Sequence, residues 1–160
     1  MNIFVLHEDP VEAAKLQVNK SLIKMACENA QIISTVCRLT LDDDEACEGL
    51  YRKTHANHPA IKWCAYCVEN FAWCLAHGIA LCDEYSARFP DKTHASLRIY
   101  DHPAISKVIA ILPANGEGTT AFMQIVTPGL ERPGDPVNAY RDFYELKPYV
   151  PADWREVNNL

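Results

Sequence analysis

The stretch Asp9-Pro10-Val11-Glu12-Ala13-Ala14-Lys15-Leu16-Gln17-Val18-Asn19-Lys20-Ser21-Leu22-Ile23-Lys24-Met25-Ala26-Cys27-Glu28 decides the fold. It opens with three helix-start signals: an aspartate cap, a proline at the first helical position, where the missing N–H is no loss, and a glutamate three residues after the cap. From there Val11, Ala14, Val18, Leu22, Met25, Ala26, Ile32, Ile33, Val36 and Leu39 recur mainly at spacings of three and four. That period predicts one long helix with a broad apolar face. The opposite side is Gln17, Lys20, Ser21, Lys24, Cys27, Glu28, Gln31, Ser34 and Thr35. It carries few charges for a face in open water and suits the wall of a wet cleft.

Outward from this helix, Asn2 to Leu6 reads as a short strand or a buried extended arm, and Asp42 to Glu48 with Gly49 as an acidic loop. His58-Pro59 repeats the logic of a helix start, and a second long helix is expected from about Pro59 to about Arg88. Its apolar side collects Ile61, Cys64, Ala65, Cys67, Val68, Phe71, Ala72, Cys74, Leu75, Ile79, Leu81 and Cys82, while Asn70, His77 and Glu84 repeat every seven residues along a polar side. Gly78 is placed to bend or loosen this helix midway. Shorter helices are expected from His102-Pro103 to Leu112 and from Asp135-Pro136 through Leu146, with the Trp154 tail folding back on the body. The expectation is an all-α single domain over residues 1–160, with two long helices, two or three shorter ones and an extended N-terminal arm.

With 160 residues the chain is long enough for one buried core. No apolar run approaches the roughly 18 residues of a membrane span, and no basic segment precedes the short apolar start, so neither a membrane anchor nor a signal peptide is expected. Seven cysteines, an odd number, point to reduced thiols and a cytoplasmic setting. The net charge of −6 argues against a protein that coats DNA non-specifically, because phosphate affinity comes largely from lysine and arginine. Basic islands at Lys15, Lys20 and Lys24, and at Arg52, Lys53 and Lys62, leave room for a local DNA or nucleotide site.

Two groups of residues carry candidate chemistry. Lys24 and Glu28 stand one turn apart on one face, where a carboxylate can move a proton beside an ammonium that steadies a negative group; the same spacing also makes an ordinary surface ion pair. His55, Asn57, His58 and Lys62 crowd the start of the second helix, whose free N–H groups favour an anion, and His58 equally serves as a simple cap. Parts of this cluster recur as Lys92-Thr93-His94 and His102-Pro103. Cys64-x2-Cys67 with His55 and His58 has the ligand types of a zinc site, but both cysteines sit on the apolar face, which favours core packing. No metal and no cofactor is expected. Phosphate-binding glycine loops, G-x-S-x-G and H-E-x-x-H are all absent.

Lys20-Ser21-x2-Lys24-x3-Glu28-x2-Gln31, followed by Asn57-His58-Pro59 and Trp63, resembles a family of small uncharacterised tailed-phage proteins, itself similar to the pyrimidine-dimer DNA glycosylases. The phage likeness extends over most of the chain, the glycosylase likeness over about the first half. What the resemblance implies is a compact all-α fold, an N-terminal amine that attacks a sugar C1′, and an assisting glutamate. By position these are the amine of Met1 and Glu28. An α-amine with an ordinary pKa near ~8 is partly neutral at pH 7 and able to form a Schiff base.

The site expected on these grounds has Met1, Lys24 and Glu28 as catalytic groups. Ser21, Gln31, His55, Asn57, His58, Lys62 and Asn70 are expected to bind substrate, with His58 and Lys62 facing Lys24 and Glu28. The leading expectation is a glycosylase- or AP-lyase-like protein that handles DNA or a nucleotide. The other is a non-catalytic phage accessory protein that binds a host protein or a small nucleotide.

Overall fold

A computed structural model describes all of residues 1–160. It is all-α: eight helices and no β-strand. α1 (Pro10–Lys15) and α2 (Asn19–Leu41) are followed by α3 (Pro59–Cys64) and α4 (Val68–Arg88). The short α5 (Leu97–Tyr100), α6 (Ala104–Ile111), α7 (Pro136–Glu145) and α8 (Trp154–Val157) complete the chain. No helix is long and apolar enough to cross a membrane.

Each of the two expected long helices is broken once. The first gives way at Leu16, Gln17 and Val18, and distant groups take up the backbone atoms released there. Arg88 donates to the carbonyls of Lys15 and Gln17 at 2.8 and 2.6 Å, Trp154 Nε1 donates to that of Leu16 at 3.0 Å, and the Val18 N–H donates to Tyr144 Oη at 2.8 Å. A break costs little when every exposed backbone group finds a partner. The second gives way at Ala65, Tyr66 and Cys67, where Cys67 is extended and the Val68 N–H donates to Pro113 O at 2.9 Å.

The packed centre is α2 against α4, with α1 also on α4 and α3, α5 and α6 on α2. Ile3, Phe4, Val5 and Leu6 of the N-terminal arm are buried in this core, as are Cys37, Cys64, Cys67, Cys74 and Cys82. The cysteines are free thiols, and burial pushes Cys37 and Cys82 up to about 12. Val11 and Leu39, and on α4 Ala72 and Ile79, all expected inside, are exposed, while Gln17, Ser21, Ser34 and Thr35, expected on the wet side, are buried. The apolar arc of α2 is thus wider than its sequence period suggests, because partners approach it from several sides.

Gly78 neither bends nor loosens α4. A Cβ there would fall 2.5 Å from Tyr100 Cζ and closer still to Tyr100 Oη and Asn29 Oδ1. Tyr100 donates to Asn29 Oδ1 at 2.9 Å, and Asn29 Nδ2 donates to Cys74 O at 3.0 Å. Only a glycine lets this buried bridge between α2, α4 and α5 form.

Asn70 and His77 belong to the interior too. The segment between α6 and α7 crosses the outer side of α3 and α4, with Phe122 against Trp63 and Trp73. Asn70 clasps it, donating to Thr120 Oγ1 and Trp63 O at 2.8 Å each and accepting from the Thr120 N–H at 2.9 Å. The heptad spacing correctly puts Asn70 and His77 on one side of the helix, but that side is covered.

Candidate functional site

Glu28 sits two turns into α2 beyond Lys20, where the N-terminal arm meets the helix. Because Ile3 to Leu6 are anchored in the core, the chain start is delivered to a fixed place. The Asn2 N–H donates to Glu28 Oε2 at 2.9 Å, and the Met1 α-amine lies 3.8 Å from Glu28 Oε1. Lys24 Nζ approaches the same Oε1 to 3.3 Å. The Glu28 side chain is 13 % exposed and that of Lys24 66 %, so the carboxylate is sheltered and its lysine partner reaches from solvent. Asn2 is held a second time, through Nδ2 to Ile125 O at 2.9 Å, and the Ile125 N–H in turn donates to Tyr140 Oη at 3.1 Å.

His58 caps α3, accepting the Ala60 N–H on Nδ1 at 3.3 Å, and lies within electrostatic reach of both the Met1 amine and Glu28. Burial lowers its pKa first; the amine and His55 lower it further, and Glu28 opposes them. His58 is therefore largely neutral at pH 7. The cap and the proximity coexist, since they use different parts of the ring.

The other expected site residues divide. Ser21 is buried and donates to Gln17 Oε1 at 2.5 Å, and Asn70 is spent on its clasp, so neither offers a group to a ligand. Gln31 is half-buried on α2. His55 and Asn57 are exposed in the loop before α3, with His55 held in left-handed backbone (φ 48°) and its Nδ1 2.6 Å from Thr54 Oγ1. Lys62 forms no ion pair with Glu28; it borders a shallow surface depression with Trp63, Tyr66 and Thr120.

One group that the sequence reading passed over belongs beside this site. Lys147, just after α7, lies 3.5 Å from the centroid of the Phe143 ring. Burial and the nearby Lys24 ammonium together hold its pKa below the ordinary lysine value. Nothing in the local sequence marks it, because its position depends on α7 packing against the N-terminal arm through Phe4 and on Tyr144 meeting Val18 at the cap of α2.

The histidine echoes have a common local explanation. His7, His58, His94 and His102 each accept on Nδ1 the backbone N–H two residues ahead, from Asp9, Ala60, Ser96 and Ala104, at 2.9 to 3.3 Å. This is the work that Asp and Asn do in turns. Nowhere do three or more His, Cys, Asp or Glu side chains converge as a metal-binding group.

Comparison with models of known protein families, with curated proteins and with solved structures finds no match to this chain.

Proposed function

We propose that the protein handles DNA or a nucleotide at the Met1/Glu28 site, through attack of the α-amine on a sugar C1′. The observation that supports this most is the 3.8 Å approach of the amine to a sheltered carboxylate 27 residues away in sequence, with Lys24 on the same oxygen.

In the proposed reaction the ammonium first passes a proton to Glu28, which frees the nitrogen lone pair. That pair forms the N–C1′ bond while the glycosidic bond breaks; its electrons leave on the base, which takes the proton held by Glu28. Opening of the sugar ring then turns the adduct into an iminium, with one of the two protons left on the nitrogen moving to the ring oxygen and the other staying on the iminium. Lys24 steadies negative charge on the substrate.

Borohydride reduction in the presence of DNA carrying damaged pyrimidines or abasic sites is expected to give a covalent protein–DNA adduct mapping to Met1. Glu28→Gln should reduce it at least ten-fold, and acetylation of Met1 should abolish it. No adduct across these substrates, with the protein folded, would overturn the amine mechanism.

A second reading has one observation in its favour. Asp42, Asp43 and Asp44 are exposed on a loop that Arg38 holds rigidly through Asp44 and the carbonyls of Cys47, Leu50 and Tyr51. A fixed acidic surface suits a basic host protein. Affinity purification from infected cells separates the readings, since such a partner would not depend on Glu28.

A further inference from the structure

Resting on that reading and deepening it, we propose that the ligand is a nucleic-acid strand, with Lys20, Lys147 and Lys24 forming a track for successive phosphates that leads to Glu28 and the Met1 amine. Lys20, Lys24 and Glu28 follow one another at four-residue steps along α2, so the line from Lys20 to Glu28 covers about 12 Å of helix axis. A single mononucleotide phosphate engages one end of such a line. A strand occupies all of it.

The lysines are held in place without being neutralised. Lys20 Nζ stands 5.2 Å from the centroid of Tyr149, and Lys147 Nζ packs on Phe143. Neither has a carboxylate within ion-pair distance, whereas Lys15 is paired with Glu12 and Arg88 with Glu84. Lys24 and Lys147 repel one another, and burial adds to the cost of charging Lys147. A phosphate between them relieves both costs.

The opposing charges are few. Glu28 closes the track at the amine, and Asp153 stands on the rim of a groove of about 470 Å³ that Lys20 borders at the far end. The amine, Lys20, Lys24 and Lys147 line the track, and the groove at its Lys20 end adds Lys15 and Arg88, each paired with its own carboxylate, on a chain whose net charge is −6. This concentration of positive charge against the overall sign is the electrostatic footprint of a local polyanion site.

The test is equilibrium binding, by fluorescence anisotropy, of a labelled short single-stranded DNA and of a labelled mononucleotide across a salt series. Three phosphate contacts predict a log–log salt slope near −2 for the strand, from about −0.7 per contact. Lys20→Gln and Lys147→Gln should each flatten the slope by about 0.7 and weaken strand binding several-fold at low salt. Lys107→Gln, exposed on α6 near Cys47 beyond the other end of α2, should leave the slope unchanged. Circular dichroism and melting confirm that these surface variants fold. Equal affinity for mononucleotide and strand, or an unchanged slope in the Lys20→Gln/Lys147→Gln double variant, would sink the track. Because binding is read without reduction, a normal slope with no borohydride adduct removes the amine chemistry and leaves the track standing. An adduct with a flat slope does the reverse.

Discussion

His77 makes the stability of this protein depend on pH. It lies inside α4, 1 % exposed, with its ring stacked on Trp73 at 5.0 Å between centroids, and neither ring nitrogen has a hydrogen-bond partner. Burial alone drives its pKa down from 6.5 to about 3. The neutral ring is favoured in the folded protein, so the unfolded chain takes up the proton first as pH falls. The stabilising contribution is therefore complete above about pH 6.5, declines by about 1.4 kcal/mol per pH unit, and levels off below about pH 3. Between pH 7 and pH 4 this amounts to a loss of about 3 kcal/mol. His77→Phe keeps an aromatic ring against Trp73 and removes the titration. Urea unfolding followed by tryptophan fluorescence, repeated over this range, should show wild type losing stability relative to the variant by that amount. At pH 7 the variant should match or exceed wild type, since two unpaired buried nitrogens are gone. A difference between the two proteins that stays constant from pH 7 to pH 4 would refute the reasoning, as would an ordinary His77 pKa by NMR.

Gly78→Ala should destabilise by about 2–3 kcal/mol despite the better helix propensity of alanine, because Tyr100 and Asn29 have to give way; thermal melting reads it, and a variant as stable as wild type would mean the bridge moves freely. Arg88→Ala should cost about 3 kcal/mol in urea titrations, as it releases the carbonyls of Lys15 and Gln17 and leaves Glu84 unpaired. Asn70→Ala should free the segment around Thr120, seen as faster proteolysis between residues 114 and 134 with α2 and α4 still protected from hydrogen exchange. Unaltered cleavage there would show that Phe122 alone holds the segment.

Signals that act within one turn were legible in the sequence, and signals that need a distant partner were not. The Asp9-Pro10, His58-Pro59 and Asp135-Pro136 starts are all present, with the cap atoms of Asp9, His58 and Asp135 accepting from the first turn. The breaks at residues 16–18 and 65–67 escape notice because Arg88, Trp154, Tyr144 and Pro113, which make them affordable, lie far along the chain. Lys24 beside Glu28 follows from spacing alone. The approach of Met1 was expected only through the phage and glycosylase resemblance, and the place of Lys147 not at all. Period seven told that Asn70 and His77 share a side; it could not tell whether a later segment covers that side.

The four histidine caps fix more than backbone. A neutral ring whose Nδ1 receives an N–H must carry its own proton on Nε2. His102 displays the result, with Nε2 2.7 Å from Glu48 O as the ring donates there. His58 is wired the same way. Its lone pair is committed to Ala60, and the polar group left on the ring is a single N–H. Beside Glu28 it is thus no proton acceptor at neutral pH. It is a fixed donor, and in the proposed reaction the movement of protons falls to the carboxylate.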